Sequence, residues 1–247
     1  MSTTTLNLLA IAVFLMTASA LLGPIINISP TIPSAVIVAV AALTGLDRLF
    51  FEGQGGTLIV DWFANRSPEH RDRVLHHEAG HFLVAHQLGI PVTGYALSAW
   101  EAVQQGQKGA GGVRFDDAAL MTELEQGQLS SQRLRNYSTV WMAGIAAETL
   151  MFGDAKGGAD DQTKLRSLLV QLDKDNPRGA PKFETQAGLS RLRAKSMIEE
   201  RREVYEQLVE AMGEGQPVET CIELLGGDRF DEASDDRLDD RAAMVTG

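Results

Sequence analysis

With one cysteine, Cys221, the 247-residue chain can form no intrachain disulfide and no multi-cysteine zinc cage. Any zinc would have to be held by histidine and carboxylate. Basic residues are also scarce. Lys and Arg number 22 against 33 Asp and Glu, and the formal net charge of −11 argues against a nucleic-acid partner. No GxxxxGK(S/T) string occurs, which excludes a P-loop nucleotide site. There is no internal repeat. Charge of either sign is missing from the whole stretch before Asp47.

That uncharged stretch contains two apolar runs, Leu6 to Leu22 and Ile32 to Leu46, separated by Gly23-Pro24 and a Ser29-Pro30/Pro33 cluster. With flanks, each is near the roughly 20 residues that a bilayer-spanning helix needs. The preferred reading is a transmembrane helical hairpin over residues 1–50. A cleaved signal peptide is the first alternative, but Met1 to Asn7 lacks a basic n-region. The second is a single span with a re-entrant partner. Arg48, Arg66, Arg71 and Arg73 are the first basic residues, and the positive-inside rule puts everything after them on the cytoplasmic side, or on the stromal side in an organelle. Residues 51–66 read as a Gly-rich juxtamembrane linker, in which Trp62 and Phe63 could rest against lipid or against the domain.

His77-Glu78-Ala79-Gly80-His81 is an HExxH motif. Residues four apart lie one helical turn apart on one face, so both imidazoles can reach one metal ion. The carboxylate beside the first histidine can act as general base towards a water at that metal. Ser67-Pro68-Glu69 reads as a helix start, and Gly89 with Pro91 as its stop. Between them Val74, His77, His81, Val84 and Leu88 recur at helical spacing, which predicts an amphipathic helix with the histidines on its apolar face. His86 lies nine positions beyond His77 and points to the far side, and His70, His76 and His86 read as surface or packing residues. Glu69, Arg71, Asp72 and Arg73 on the same helix make its burial in a bilayer, as in site-2-type intramembrane proteolysis, costly.

Further along, Val92 to Trp100 has strand composition, Gln104 to Gly112 is a loop, and Val113 to Phe115 is a short strand. Helices are expected over Asp116–Gln126, Ser131–Phe152 (closed by Gly153), Asp160 or Asp161 to Leu172, Glu184–Met212 and Val218–Leu225. Residues 226–247 form an acidic, solvated tail.

A catalytic zinc keeps three protein ligands and an open position. The metzincin extension is excluded, because Val84 and Gln87 stand where its glycine and third histidine would be. The acidic candidates for third ligand are Glu101, Glu148 and Asp160 or Asp161.

HEAGH resembles the zinc motif of the FtsH-type membrane proteases. Met142-Ala143-Gly144-Ile145-Ala146-Ala147-Glu148 is similar to that family's "GGRAAEE"-like helix, and Gly157-Gly158-Ala159-Asp160-Asp161 to its "TGAxND" segment. Ala110-Gly111-Gly112-Val113 resembles the step before its substrate-binding edge strand. These matches occur in family order between about Ser67 and Leu225. The resemblance implies a mainly α zinc-peptidase domain over residues 67–225 with a small β edge element. It implies Zn2+ on His77, His81 and Asp161, with Glu78 as general base. Asp160, in place of the family's asparagine, would be a helix cap. Glu148 would accept a hydrogen bond from a ligand histidine, and Gly111, Gly112, Val113, Arg114 and Phe115 would dock an extended polypeptide substrate.

The family's ATPase module is missing. The expected function is therefore a membrane-anchored, ATP-independent zinc metalloendopeptidase acting on unfolded or accessible membrane-proximal segments. Its expected partners are membrane lipid, further copies of itself or an AAA+ protease. The rival is a non-catalytic scaffold or regulatory subunit of a membrane protease complex.

Overall fold

The computed structural model describes residues 67–106, 111–175 and 181–226, together with the isolated positions Phe14, Thr17 and Ala35. The chain divides into two compact units, Met1–Val60 and Asp61–Gly247. Apart from those three isolated positions, both apolar runs of the expected membrane hairpin lie outside the described residues. So do the linker, residues 107–110 of the Gly-rich loop, and the acidic tail from residue 227 on. Among the described residues no helix is long and apolar enough to cross a membrane.

The second unit is mainly helical. In chain order it contains α1 (Pro68–Gln87), β1 (Val92–Ala96), α2 (Ala99–Gln104), β2 (Gly112–Phe115), α3 (Ala118–Glu125), α4 (Ser131–Phe152), α5 (Ala159–Asp175), α6 (Phe183–Glu200), α7 (Arg202–Gly213) and α8 (Val218–Leu225). The strands pair antiparallel, with Tyr95 opposite Val113 and Ala96 opposite Gly112.

The HExxH helix starts and stops where its sequence directs. The Ser67 hydroxyl accepts the His70 N–H, Pro68 occupies the first turn, and Gly89 takes a left-handed φ of 69° just past the end. It is not amphipathic, however. From His76 to Gln87 every residue but Glu78 and His86 is buried, so α1 is the central helix of the domain and not a surface helix with one apolar face. It packs mainly on α4, and also touches α6, α7 and both strands. Small residues make the α1–α4 approach close. A methyl group on Gly80 would lie 2.7 Å from the Ala147 Cβ and 2.8 Å from the Ala143 carbonyl oxygen. Phe82, Leu83, Val140, Met197, Ile198, Tyr205 and Leu208 fill the main core around this crossing. A smaller cluster of Met142, Ile145, Leu165 and Leu169 fastens α5 to α4.

Two expected elements change. The strand from Val92 ends at Ala96, because Ser98 and Glu101 start a helix. The Ser98 hydroxyl accepts the Glu101 N–H at 3.1 Å, and the Glu101 carboxylate accepts the Leu97 N–H at 2.7 Å. The expected long helix over Glu184–Met212 is two helices broken at Arg201 (φ −121°, ψ 36°). The break turns the chain from packing on α4, through α6, to packing on α1, through α7. There the fully buried Tyr205 donates its hydroxyl to the His76 carbonyl at 2.9 Å.

Candidate metal centre

Three polar side chains that sequence separates by up to 84 positions meet in the core: His77 and His81 from α1 and Asp161 from the first turn of α5. All three are buried, at 8, 4 and 7 % exposure. The Asp161 Oδ2 oxygen lies 3.2 Å from His77 Nε2 and 3.3 Å from His81 Nε2. Ligands held at about 2.0–2.1 Å in a tetrahedral shell stand roughly 3.3–3.4 Å apart, so these separations are those of donors around one small cation.

The other ring nitrogens fix the tautomers. The His81 Nδ1 lies 2.7 Å from the Val140 carbonyl oxygen, which can only accept, so Nδ1 carries the proton and Nε2 offers its lone pair. The His77 Nδ1 lies 2.7 Å from Glu148 Oε1. Burial alone would raise the Glu148 carboxyl. The His77 hydrogen bond and the backbone N–H groups of Lys156 and Gly157 outweigh it and hold the group ionised below its ordinary range. Both Nε2 lone pairs are thus aimed at a carboxylate oxygen, an arrangement that repels itself unless a cation lies between. In the metal-free protein that cation is a proton. Burial opposes charge on His77, but hydrogen bonds to Asp161 and Glu148 prevail and raise its pKa to about 10. For Asp161 burial acts upward, while the neighbouring His81 and His77 drive the carboxyl far below the ordinary carboxylate range. Two imidazoles and a carboxylate with one open side fit zinc and its first-row neighbours.

Of the three acidic candidates for third ligand, Glu101 is engaged in capping α2 and Glu148 holds the outer nitrogen of His77. Asp161 alone faces both Nε2 atoms. Asp160 is exposed and, like Asp161, lies inside the first turn of α5, which begins at Ala159.

Glu78 lines the same cleft as the three donors, and its Oε2 accepts the Val113 N–H at 2.9 Å. Tyr95 and Val113 are paired residues of the ladder, so this bond places Val113's backbone polar groups on the β2 edge that faces the cleft. Gly111, Gly112 and Phe115 line it too. Gly112 needs its glycine, with φ at 114° and the Glu78 carboxylate 3.5 Å from where a Cβ would be. Arg114 is the exception among the expected docking residues. Its side chain does not line the cleft but lies over Gly94 of the partner strand.

His76 bonds Tyr205 and His86 bonds the Gly226 carbonyl oxygen, both packing roles, while half-buried His70 lines the cleft mouth. Several contributors are given no role by the sequence motifs alone. The Val140 carbonyl is backbone. Gly144 lies under His77, where a Cβ would overlap the imidazole, and at Gly157 a Cβ would come within 2.6 Å of the Glu148 carboxylate. Lys164, one turn after Asp161, donates to its outer oxygen at 3.1 Å.

No protein-family model and no curated protein matches the chain.

Proposed function

We propose that this chain is a membrane-anchored zinc metalloendopeptidase, similar to the peptidase part of the FtsH-type proteases. The observation that carries this reading is the convergence of two tautomer-fixed histidines and Asp161 beside the Glu78 carboxylate, in a cleft edged by a strand. The chemistry supplied by zinc in such a site is Lewis acidity, which acidifies water and polarises a carbonyl.

The chain's own residues do the rest. Glu78 takes the proton of the attacking water and returns it to the departing amine. In the resting site its carboxylate is held in place by the Val113 N–H. An extended peptide lies along the β2 edge, read through its backbone more than its side chains. With no ATPase segment in this sequence, the substrates are segments already unfolded or delivered by a partner. The apolar runs before Asp47 anchor the domain at a membrane, with the cleft on the cytoplasmic or stromal side.

The test uses the full chain, purified in detergent and loaded with zinc, on casein without nucleotide. Chelator-sensitive digestion is expected, and Glu78→Gln should retain the zinc and lose at least about a hundredfold in cleavage rate. Wild-type zinc content with no cleavage by the wild type would favour the scaffold reading instead.

A further inference from the structure

Arg73 is 11 % exposed and sits one helical turn before His77 on α1. Its guanidinium reaches both α4 and the segment that follows it. Nη2 donates to the Asp154 carboxylate at 2.8 Å, Nη1 donates to the Asp154 carbonyl oxygen at 3.3 Å, and Nη1 also lies 3.6 Å from Glu148 Oε2. The plane rests over the Phe152 ring with Cζ 4.5 Å from its centroid. Glu69, one turn earlier, lies 3.4 Å from Nε and bridges to Lys156 at 3.0 Å.

Glu148 is the junction. One oxygen takes His77 Nδ1 and the Gly157 N–H; the other takes the Lys156 N–H and faces Arg73. This 2 % exposed carboxylate therefore orients one ligand ring directly, and through Lys156 and Gly157 it fixes the turn that leads into α5 and Asp161. Arg73 supplies the only side-chain cation paired with it other than His77 itself, among the described residues. It also clamps the same turn from its other end at Asp154.

From this geometry we infer that Arg73 is a positioning residue for the metal centre. It neutralises Glu148 and locks the Asp154–Gly158 turn, so that His77 and Asp161 are presented together, and in doing so it sets metal affinity. The inference rests on the metal-site reading above. Arginine suits the task because its planar fork addresses Asp154 and Glu148 from two nitrogens in a fixed geometry, which a flexible point-charge ammonium lacks.

The experiment titrates the metal-free full chain with zinc against a chromophoric chelator, at a temperature well below melting of every variant. Arg73→Met keeps the aliphatic packing and removes the charge. It should bind zinc about 10- to 100-fold more weakly, as expected when an outer partner of a ligand is lost. Arg73→Lys should recover part of that loss. Asp154→Asn, which removes the charge from the 2.8 Å arm at an exposed residue, should weaken binding in the same direction by a smaller factor. Amide exchange at Lys156 and Gly157 in the metal-free protein should quicken in Arg73→Met, a readout independent of metal. Wild-type affinity in Arg73→Met, or equal losses in Arg73→Lys and Arg73→Met, would overturn the inference. A wild-type chain that binds no zinc would overturn the metal reading itself, a result that the Arg73 comparisons cannot mimic. If Arg73→Met does not fold, the order wild type, Asp154→Asn, Arg73→Lys in affinity still decides.

Discussion

His77 carries two jobs whose signs can be worked out. Without metal it holds a proton up to about pH 10, because the Asp161 and Glu148 hydrogen bonds outweigh the cost of burying its charge. A metal ion must displace that proton, so zinc affinity should climb by nearly tenfold per pH unit through neutral pH and level off near 10. Chelator-competition titrations at pH 6, 7 and 8 check this, and a flat profile would show that His77 is already unprotonated. The same shift makes the metal-free fold pH-sensitive. A raised histidine stabilises fully below its unfolded value of 6.5, and this is lost as pH rises through about 10. The depressed Asp161 stabilises above its ordinary 3.8, and this is lost on acidification, so the pair stabilises in full between those two values. At this scale the motif residues are legible in the sequence because their chemistry depends on side-chain type at a fixed helical spacing. The Val140 carbonyl, the Gly144 approach and the Arg73–Glu148 pair are not. The first is backbone, and the other two exist only once α1 and α4 are packed.

At the scale of elements, the site depends on how closely α1 and α4 approach. Gly80→Ala would drive a methyl group against Ala147 and the Ala143 carbonyl, and helix backbones cannot yield as flexible side chains do. A loss of about 1–3 kcal/mol is expected, read as a lower denaturant midpoint at unchanged slope. An unchanged midpoint would mean that the helices separate without cost. Leu165, fully buried one turn after Asp161, seats α5 in the Met142–Ile145 cluster and thereby aims the third donor. Helix ends at Ser67 and Gly153 fall where the sequence puts them, since caps and left-handed glycines act locally. The break at Arg201 escapes a sequence reading because no proline or glycine marks it. It reflects a need to serve two helices at once, with Tyr205 turned in to His76. The amphipathic expectation for α1 fails for a related reason: the stripe from Val74 to Leu88 is only one side of a helix whose C-terminal half other elements cover on most sides.

At the scale of the molecule, every step of the proposed peptide hydrolysis depends on the third ligand. HExxH alone supplies two donors, and Asp161 is what turns two histidines on a helix into a closed set with one side open to the cleft. The decisive measurement is the zinc content of the full chain by elemental analysis, wild type beside Asp161→Ala, with both shown to be folded by circular dichroism. One zinc per wild-type chain is expected, with loss of most of it in the variant. A wild-type chain that takes up no zinc, or an Asp161→Ala chain that holds it as firmly as the wild type, would contradict the account.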